Sequence, residues 1–189
     1  EGTKFWIKGL GYYDAGSRSF YTKDKPIYSP KDLNGLKIRV MESITAMDMV
    51  KSFGGSPTPI SWGELYTSLQ QGVVDGAENN PPSFYLSRHY EVCKFYSLDE
   101  HTVLPDVLII GTHIWNDLSP QEKKWMQDVV DKSVVYQRKL WAVAEKEALD
   151  AVQKAGVTII RPDKELFSSK VEGVYAQYKD DKDINNLID

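Results

Sequence analysis

Residues 119–156 read SPQEKKWMQDVVDKSVVYQRKLWAVAEKEALDAVQKAG, and how this stretch is read decides the fold. Ser119 is a helix-capping residue, Pro120 suits the first helical position, and Glu122 stands at the capping-box position. Met126, Val129, Val130, Leu140, Trp141, Ala144, Ala148 and Val152 follow as an apolar stripe, and Gly156 supplies the stop. At 1.5 Å per residue such a helix is about 50 Å long, more than the diameter of a small domain. A helix of that length is expected to cross from one lobe of the protein to another.

The flanking sequence alternates strands and helices. Phe5 to Leu10 reads as a strand, and "DAGSRSFYT" after it as turn chemistry holding Arg18. In "YSPKDLNGLKIRV", Ser29 caps, Pro30 opens and Gly35 ends a single helical turn, and Leu36 to Val40 form a strand with Arg39 near its end. A helix is predicted from Ser43 to Phe53, closed by Gly54 and Gly55. A second opens at Ser61, with Glu64 completing a capping box, Leu65 and Leu69 on one face and Gly72 as its stop. Val73 to Ala77 reads as a short strand, Asn80 as a cap, and Pro81 or Pro82 as the start of a helix towards Arg88. Lys94 to Leu98 and Val103 to Gly111 read as two further strands, with Pro105 placing the start of the second at an edge. "VTIIRP" is a short strand, and the polar tail with "KDDKDINN" cannot bury much. This order points to α/β layers around a partly parallel sheet.

Composition narrows the function. The 189 residues are 41% hydrophobic and 26% charged, ordinary for a globular protein, with a formal charge of −4. No basic cluster stands clear of acids, which argues against a nucleic-acid partner. The longest apolar runs, such as Val107 to Ile110, fall far short of the roughly 20 residues that cross a bilayer. Cys93 is the single cysteine; it reads as a small buried apolar group. The opening "EGTKFWIKGLGYY" carries no initiator Met and no signal-peptide pattern, and reads as a mature, trimmed or truncated chain.

Asp75 and Glu78 could be paired carboxylates for acid/base chemistry or a divalent metal, but Asp75-Gly76 is equally a turn dipeptide. His89, His101 and His113 show neither i,i+4 pairing nor a neighbouring ligand at metal spacing, so no metal site is expected. No cofactor fingerprint is present: "GLGYYDAG" lacks the glycine spacing of a dinucleotide loop. His89 belongs at a helix end, and His101 is the histidine best placed to face a cleft, with a structural role as its alternative. Trp125 and Trp141 read as helix packing, whereas Trp62, at a helix start beside Pro59, suits a pocket border.

What remains suits holding an anion without altering it. Arg18 and Arg39 can each offer a guanidinium fork to a carboxylate, and Asn79 and Asn80 can add donors and acceptors for further oxygens. Two surface arginines in ordinary ion pairs and two turn asparagines would give the same composition.

"SPKDLNGLKIRVMES", "GGSPTPISWGELYTSLQQGVVDGAENNPPSFY", "HYEVCKFYSLDEHT" and "LSPQEKKWM" together resemble the DctP-type substrate-binding proteins of TRAP (tripartite ATP-independent periplasmic) transporters. The resemblance implies a periplasmic-binding-protein-like architecture of two α/β lobes closing on a ligand, with a long helix spanning both. It also implies that the first part of the N-terminal lobe is absent here. Residues 1–15 would then be the crossing strand into the second lobe and 16–102 the second lobe with the ligand-binding residues. Residues 103–118 would return to the first lobe, 119–156 form the spanning helix, and 157–189 the last strand and tail.

In that family the ligand-carboxylate arginine matches Arg39 and a second contact matches Arg18. The motif asparagine matches Asn79, and an aromatic before the "ELYTSLQ" helix matches Trp62, with Glu78, Asn80 and His101 as further candidates around them. The implied protein is a periplasmic receptor, not an enzyme, delivering a small organic acid to the transporter's membrane subunits and meeting the membrane only through them. The amide and carboxylate of "AENNPPSFY" suit hydroxyl groups, which favours a sugar acid such as a uronate. A C4-dicarboxylate or another hydroxy or oxo acid is the alternative within the class; an α/β enzyme using Asp75 and Glu78, or a sensory ligand-binding domain, stands outside it.

Overall fold

The computed structural model describes residues 2–181 and 184. A 3-10 turn over Gly2–Phe5 leads into β1 (Ile7–Thr22), and a second turn over Pro30–Leu33 precedes β2 (Lys37–Val40). There follow α1 (Ile44–Ser52), β3 (Ser56–Pro59), α2 (Trp62–Gln71), β4 (Gly76–Asn79) and α3 (Pro81–Leu86). β5 (Phe95–Gly111), α4 (Thr112–Asp117), α5 (Pro120–Lys154), β6 (Thr158–Ile160), α6 (Glu165–Ser168) and α7 (Glu172–Tyr175) complete the order. The strands form one sheet in the order β3-β2-β4-β1-β5-β6. β2 runs parallel to β3 and β4, β1 antiparallel to β4, and β5 parallel to β6, so the mixed α/β fold expected from the alternation is present.

The chain falls into two compact units, one of residues 1–16 with 103–147 and the other of residues 17–102 with 148–189. In the first unit α5 lies on β1 through Gln127, Val130, Ser133 and Gln137. Gln127 Nε2 donates to the Leu10 carbonyl at 2.9 Å, Ser133 Oγ lies 2.8 Å from the Tyr13 hydroxyl, and Gln137 Oε1 accepts from Asp14 N at 2.8 Å. Residues three and four apart share a helix face, so this side turns Trp125, Val129 and Leu140 to solvent. Trp125, expected to pack, is 60 % exposed, and the apolar stripe is narrower than its sequence suggests. Ser119 and Glu122 do form the predicted capping box: Ser119 N donates to the carboxylate at 2.8 Å and Glu122 N to the serine hydroxyl at 3.3 Å.

The second unit holds two apolar cores. Tyr21, Leu65, Leu69, Ala77, Phe84 and Tyr96 belong to one, and Phe20, Ile38, Val40, Val50, Phe53 and Phe167 to the other. Successive strand residues point to opposite faces, which is why neighbours such as Phe20 and Tyr21 divide between them. Cys93 is buried as expected, and burial pushes its thiol up to about 12.

Several boundaries differ from the sequence reading. "DAGSRSFYT" is the second half of β1 instead of a turn; Gly16 takes its local bend at φ 71°, where a Cβ would meet the Trp141 ring. The two strands expected over 94–98 and 103–111 are one, carried through Glu100 at φ 50°. The strand placed at Val73 to Ala77 starts three residues later and ends two later, because Gly72 at φ 72° and the 73–75 bend use up the intervening chain. Ser56–Pro59, prolines included, pairs with β2 as an edge strand the sequence reading left as a connection. At Ser61 the hydroxyl donates to the Glu64 carboxylate at 2.7 Å instead of accepting from the backbone. The end of the polar tail, residues 182–183 and 185–189, lies outside the described residues.

Candidate functional site

All seven residues singled out by sequence lie in the second unit, around the end of β4. Strand register explains the arrangement. Phe20 stands opposite Glu78, so Glu78, Phe20 and Arg18 share one face; Arg39 stands beside Ala77 and occupies the other. A Cβ at Gly76 would run into the Tyr21 carbonyl, so glycine there lets β4 sit this close to β1.

On the first face Arg18 is almost fully committed. Its Nε and Nη2 take the two oxygens of Glu78, the second at 2.9 Å, Nη2 also reaches the Glu78 carbonyl at 2.9 Å, and Nη1 donates to Asn79 Oδ1 at 3.1 Å. Behind Glu78 stands His101, with Nε2 3.6 Å from the carboxylate, too long for a hydrogen bond but close for an ion contact. His101 Nδ1 lies 2.7 Å from Asp99 Oδ2, and Asp99 Oδ1 accepts from Phe20 N at 3.1 Å. Burial alone would raise the Glu78 carboxyl, but His101 and Arg18 hold it below its ordinary value. Burial likewise opposes charge on His101, and Asp99 and Glu78 outweigh it, lifting the imidazole to about 9. Arg18 follows the same pattern: burial works against its charge and Glu78 raises it above its ordinary value. Arg18, Glu78, His101 and Asp99 thus form a linked cluster of ion pairs in which His101 Nε2 alone is buried without a hydrogen bond. The His101 side chain, 1 % exposed and stacked 4.3 Å from Phe20, lies at the wall of a small cavity lined also by Phe53, Lys164 and Phe167.

The other face differs. Arg39 Nε donates to the Ile60 carbonyl at 2.8 Å, and its Nη1 is buried with no hydrogen-bond partner. No carboxylate forms an ion pair with Arg39 among the described residues, and burial lowers the guanidinium from its ordinary value. Its charge rests on the Trp62 ring at 5.6 Å, a cation–π contact. Trp62 opens α2 and is 43 % exposed. A buried cationic donor without an acceptor is costly, and an arriving carboxylate would supply what it lacks.

Asn79 and Asn80 join the two faces. Asn79 Oδ1 accepts from Arg18 and from Asn80 N at 2.9 Å, and the Asn79 carbonyl accepts from the Tyr96 hydroxyl at 2.7 Å. Asn80 caps α3 as predicted, accepting from Ser83 N at 2.8 Å. Asp75 is drawn away from any such chemistry: its carboxylate accepts from Lys37 N at 2.7 Å, extending the β2–β4 pairing. Sequence reasoning missed Asp99, although its i, i+2 spacing to His101 on a strand was a usable signal. It also missed the Ile60 carbonyl, for which no side-chain signal exists.

These parts amount to an arginine held ready for an anion beside an aromatic wall and a braced amide. The family profile described as bacterial extracellular solute-binding protein, family 7 (DctP) matches residues 3–181. The chain belongs to that family. A solute-binding protein of Chromohalobacter salexigens is 38% identical over 170 residues, 89% of this chain and 51% of the relative. The 2,3-diketo-L-gulonate-binding periplasmic protein of Escherichia coli is 32% identical over 163 residues, 86% of this chain and 50% of the relative. Among solved structures, a TRAP periplasmic solute-binding protein of Sulfitobacter with bound β-D-galacturonate matches with a TM-score of 0.91 at 37% identity. It covers 98% of this chain and 62% of the other. One from C. salexigens with bound D-glucuronate matches with a TM-score of 0.93 at 35% identity, covering 98% and 62%. The chain therefore spans about half the length of the curated relatives it matches. The DctP relatives are binding proteins, not enzymes.

Proposed function

We propose that the protein is a periplasmic receptor for a small sugar acid of the uronate class, which it delivers to the membrane subunits of a TRAP transporter. Arg39 is the principal carboxylate clamp and Trp62 the aromatic wall beside it. Arg18 is the support, spending its donors on Glu78 and Asn79. With its oxygen so occupied, the Asn79 amide nitrogen is the group that side chain offers a ligand. Glu78, Asn80 and His101 shape the site from behind, and residues 16–102 are the ligand-bearing lobe. Residues 103–118 belong with the first lobe, and 119–156 are the helix common to both.

The observation that carries this reading is the buried, unpartnered Nη1 of Arg39. A guanidinium whose Nε is fixed on a carbonyl has its remaining N–H groups pre-aimed, so a carboxylate gains charge-assisted bonds without reordering the side chain. The uronate class draws support from the bound galacturonate and glucuronate of structural relatives that are 35% and 37% identical. Calorimetric titration of the intact protein with D-galacturonate, D-glucuronate and succinate tests it. A uronate is expected to bind tightest, and Arg39→Lys to weaken it at least about tenfold, because a point charge cannot replace the fork. Succinate held more tightly than either uronate would overturn the ligand class, and unchanged affinity in the lysine variant would overturn the clamp.

A further inference from the structure

Trp62 is 43 % exposed, yet its ring has a buried neighbour, the first residue of "HYEVCKFYSLDEHT". His89 lies in a 3-10 turn (His89–Glu91) after Arg88, which takes φ 57° to present it, and is 2 % exposed. Its ring meets the Trp62 indole edge to face, centroids 5.2 Å apart at 61°. On its other functional contact, Nδ1 lies 2.8 Å from the Tyr21 hydroxyl. Tyr21 is itself fully buried on β1, its ring packed 4.6 Å from Phe84 and edge-on to Tyr96 at 6.0 Å.

The contacts run in series, Tyr21 to His89 to Trp62 to Arg39, with Trp62 the one partly exposed member. Each residue type suits its place. A buried phenol needs a partner, and phenylalanine at position 89 would leave it without one. A cationic ring at this point would oppose Arg39, and burial together with Arg39 lowers the imidazole to about 4, so it is neutral near pH 7. A neutral imidazole accepts from the tyrosine at Nδ1 and still offers an aromatic surface to the indole.

We propose that His89 is a positioning residue for carboxylate binding: held by the Tyr21 hydroxyl, its ring sets the Trp62 indole in place against the Arg39 guanidinium. It touches no ligand and acts only through Trp62. This rests on Arg39 being the carboxylate clamp.

A double-mutant comparison in the intact protein separates this role from a general contribution to folding. His89→Gln is expected to weaken D-galacturonate binding about tenfold when Trp62 is present and less than about twofold in a Trp62→Ala background, where no ring remains to be set. Equal losses in the two backgrounds would overturn the proposal. Tyr21→Phe, which keeps the ring and removes only the hydroxyl, is expected to act in the same direction by about threefold, again only with Trp62 present. A second readout needs no ligand: the emission of Trp62, taken as the difference between the protein and its Trp62→Ala variant, should shift when His89 is replaced. An unshifted difference spectrum would overturn the proposal. Absence of uronate binding in the parent protein would sink the ligand reading alone, and the spectrum would then decide the role of His89.

Discussion

The two faces of the sheet at the end of β4 handle buried charge in opposite ways. On one, Arg18, Glu78, His101 and Asp99 are linked as ion pairs and the donors of Arg18 are nearly exhausted within the protein, although His101 Nε2 makes only a 3.6 Å ion contact and no hydrogen bond. On the other, Arg39 has one carbonyl, one aromatic ring and an unanswered N–H. Both arginines are buried, so burial alone does not mark a binding residue. What separates the two is the carboxylate partner, which Arg18 has and Arg39 lacks among the described residues. Paired charges add rigidity, and a buried donor without an acceptor carries an unfavourable term that an arriving acceptor would relieve.

The comparison breaks most visibly at Glu78. Glu78→Gln strips the buried Arg18 and His101 of their shared carboxylate and should cost about 3–5 kcal/mol of stability, read as a lowered midpoint in urea. If the variant unfolds at the parent's midpoint, these ion pairs do not stabilise the face. On the other face Arg39→Lys should leave that midpoint within about 1 kcal/mol while weakening uronate binding by roughly 2 kcal/mol, one charge-assisted bond's worth. A loss of stability without a loss of affinity would exchange the roles assigned to the two arginines.

The pH dependence sharpens the same contrast. The imidazole of His101 is lifted from 6.5 to about 9 in the folded protein, so its contribution is complete below about pH 6.5 and lost as pH rises through about 9. Glu78, held low, contributes above its ordinary range and loses that contribution only in acid. Thermal midpoints should therefore fall between about pH 6.5 and 9, and His101→Gln should flatten that slope. A slope unchanged by the substitution would remove His101 from the set. The smallest effect belongs to Asp75→Asn, whose side-chain oxygen can still accept from Lys37 N: less than about 1 kcal/mol in stability and no change in affinity. A large loss of binding there would restore Asp75 to the site.

Local chemistry was legible where a signal is short and directional. The capping box at Ser119 and Glu122, the Asn80 cap with Pro81 at the first position, and the glycine stop at Gly72 are all in the structure as read. Strand ends were less legible, because a strand's extent is set by its partners. "DAGSRSFYT" has turn residues, yet pairing of Ser19 to Thr22 with β4 keeps it extended. The breadth of the α5 stripe was overread for a related reason: an apolar residue on a helix does not say whether anything lies opposite it, as Trp125 shows.

The sequence by itself supplied the α/β class, the long helix and the family, and it named seven side chains that all fall in the second unit. Residue type and short-range spacing carry that information, since capping, propensity and hydrogen-bonding capacity belong to the residues themselves. Only the tertiary structure gave Arg18 an ion partner and left Arg39 without one among the described residues. That difference depends on β1 and β4 pairing 60 residues apart to bring Glu78 to Arg18, and on the absence of any such acid opposite Arg39 among the described residues. It also brought His89 to Trp62 through a tyrosine 68 residues away, a contact fixed by packing across the core and by no local pattern in the chain.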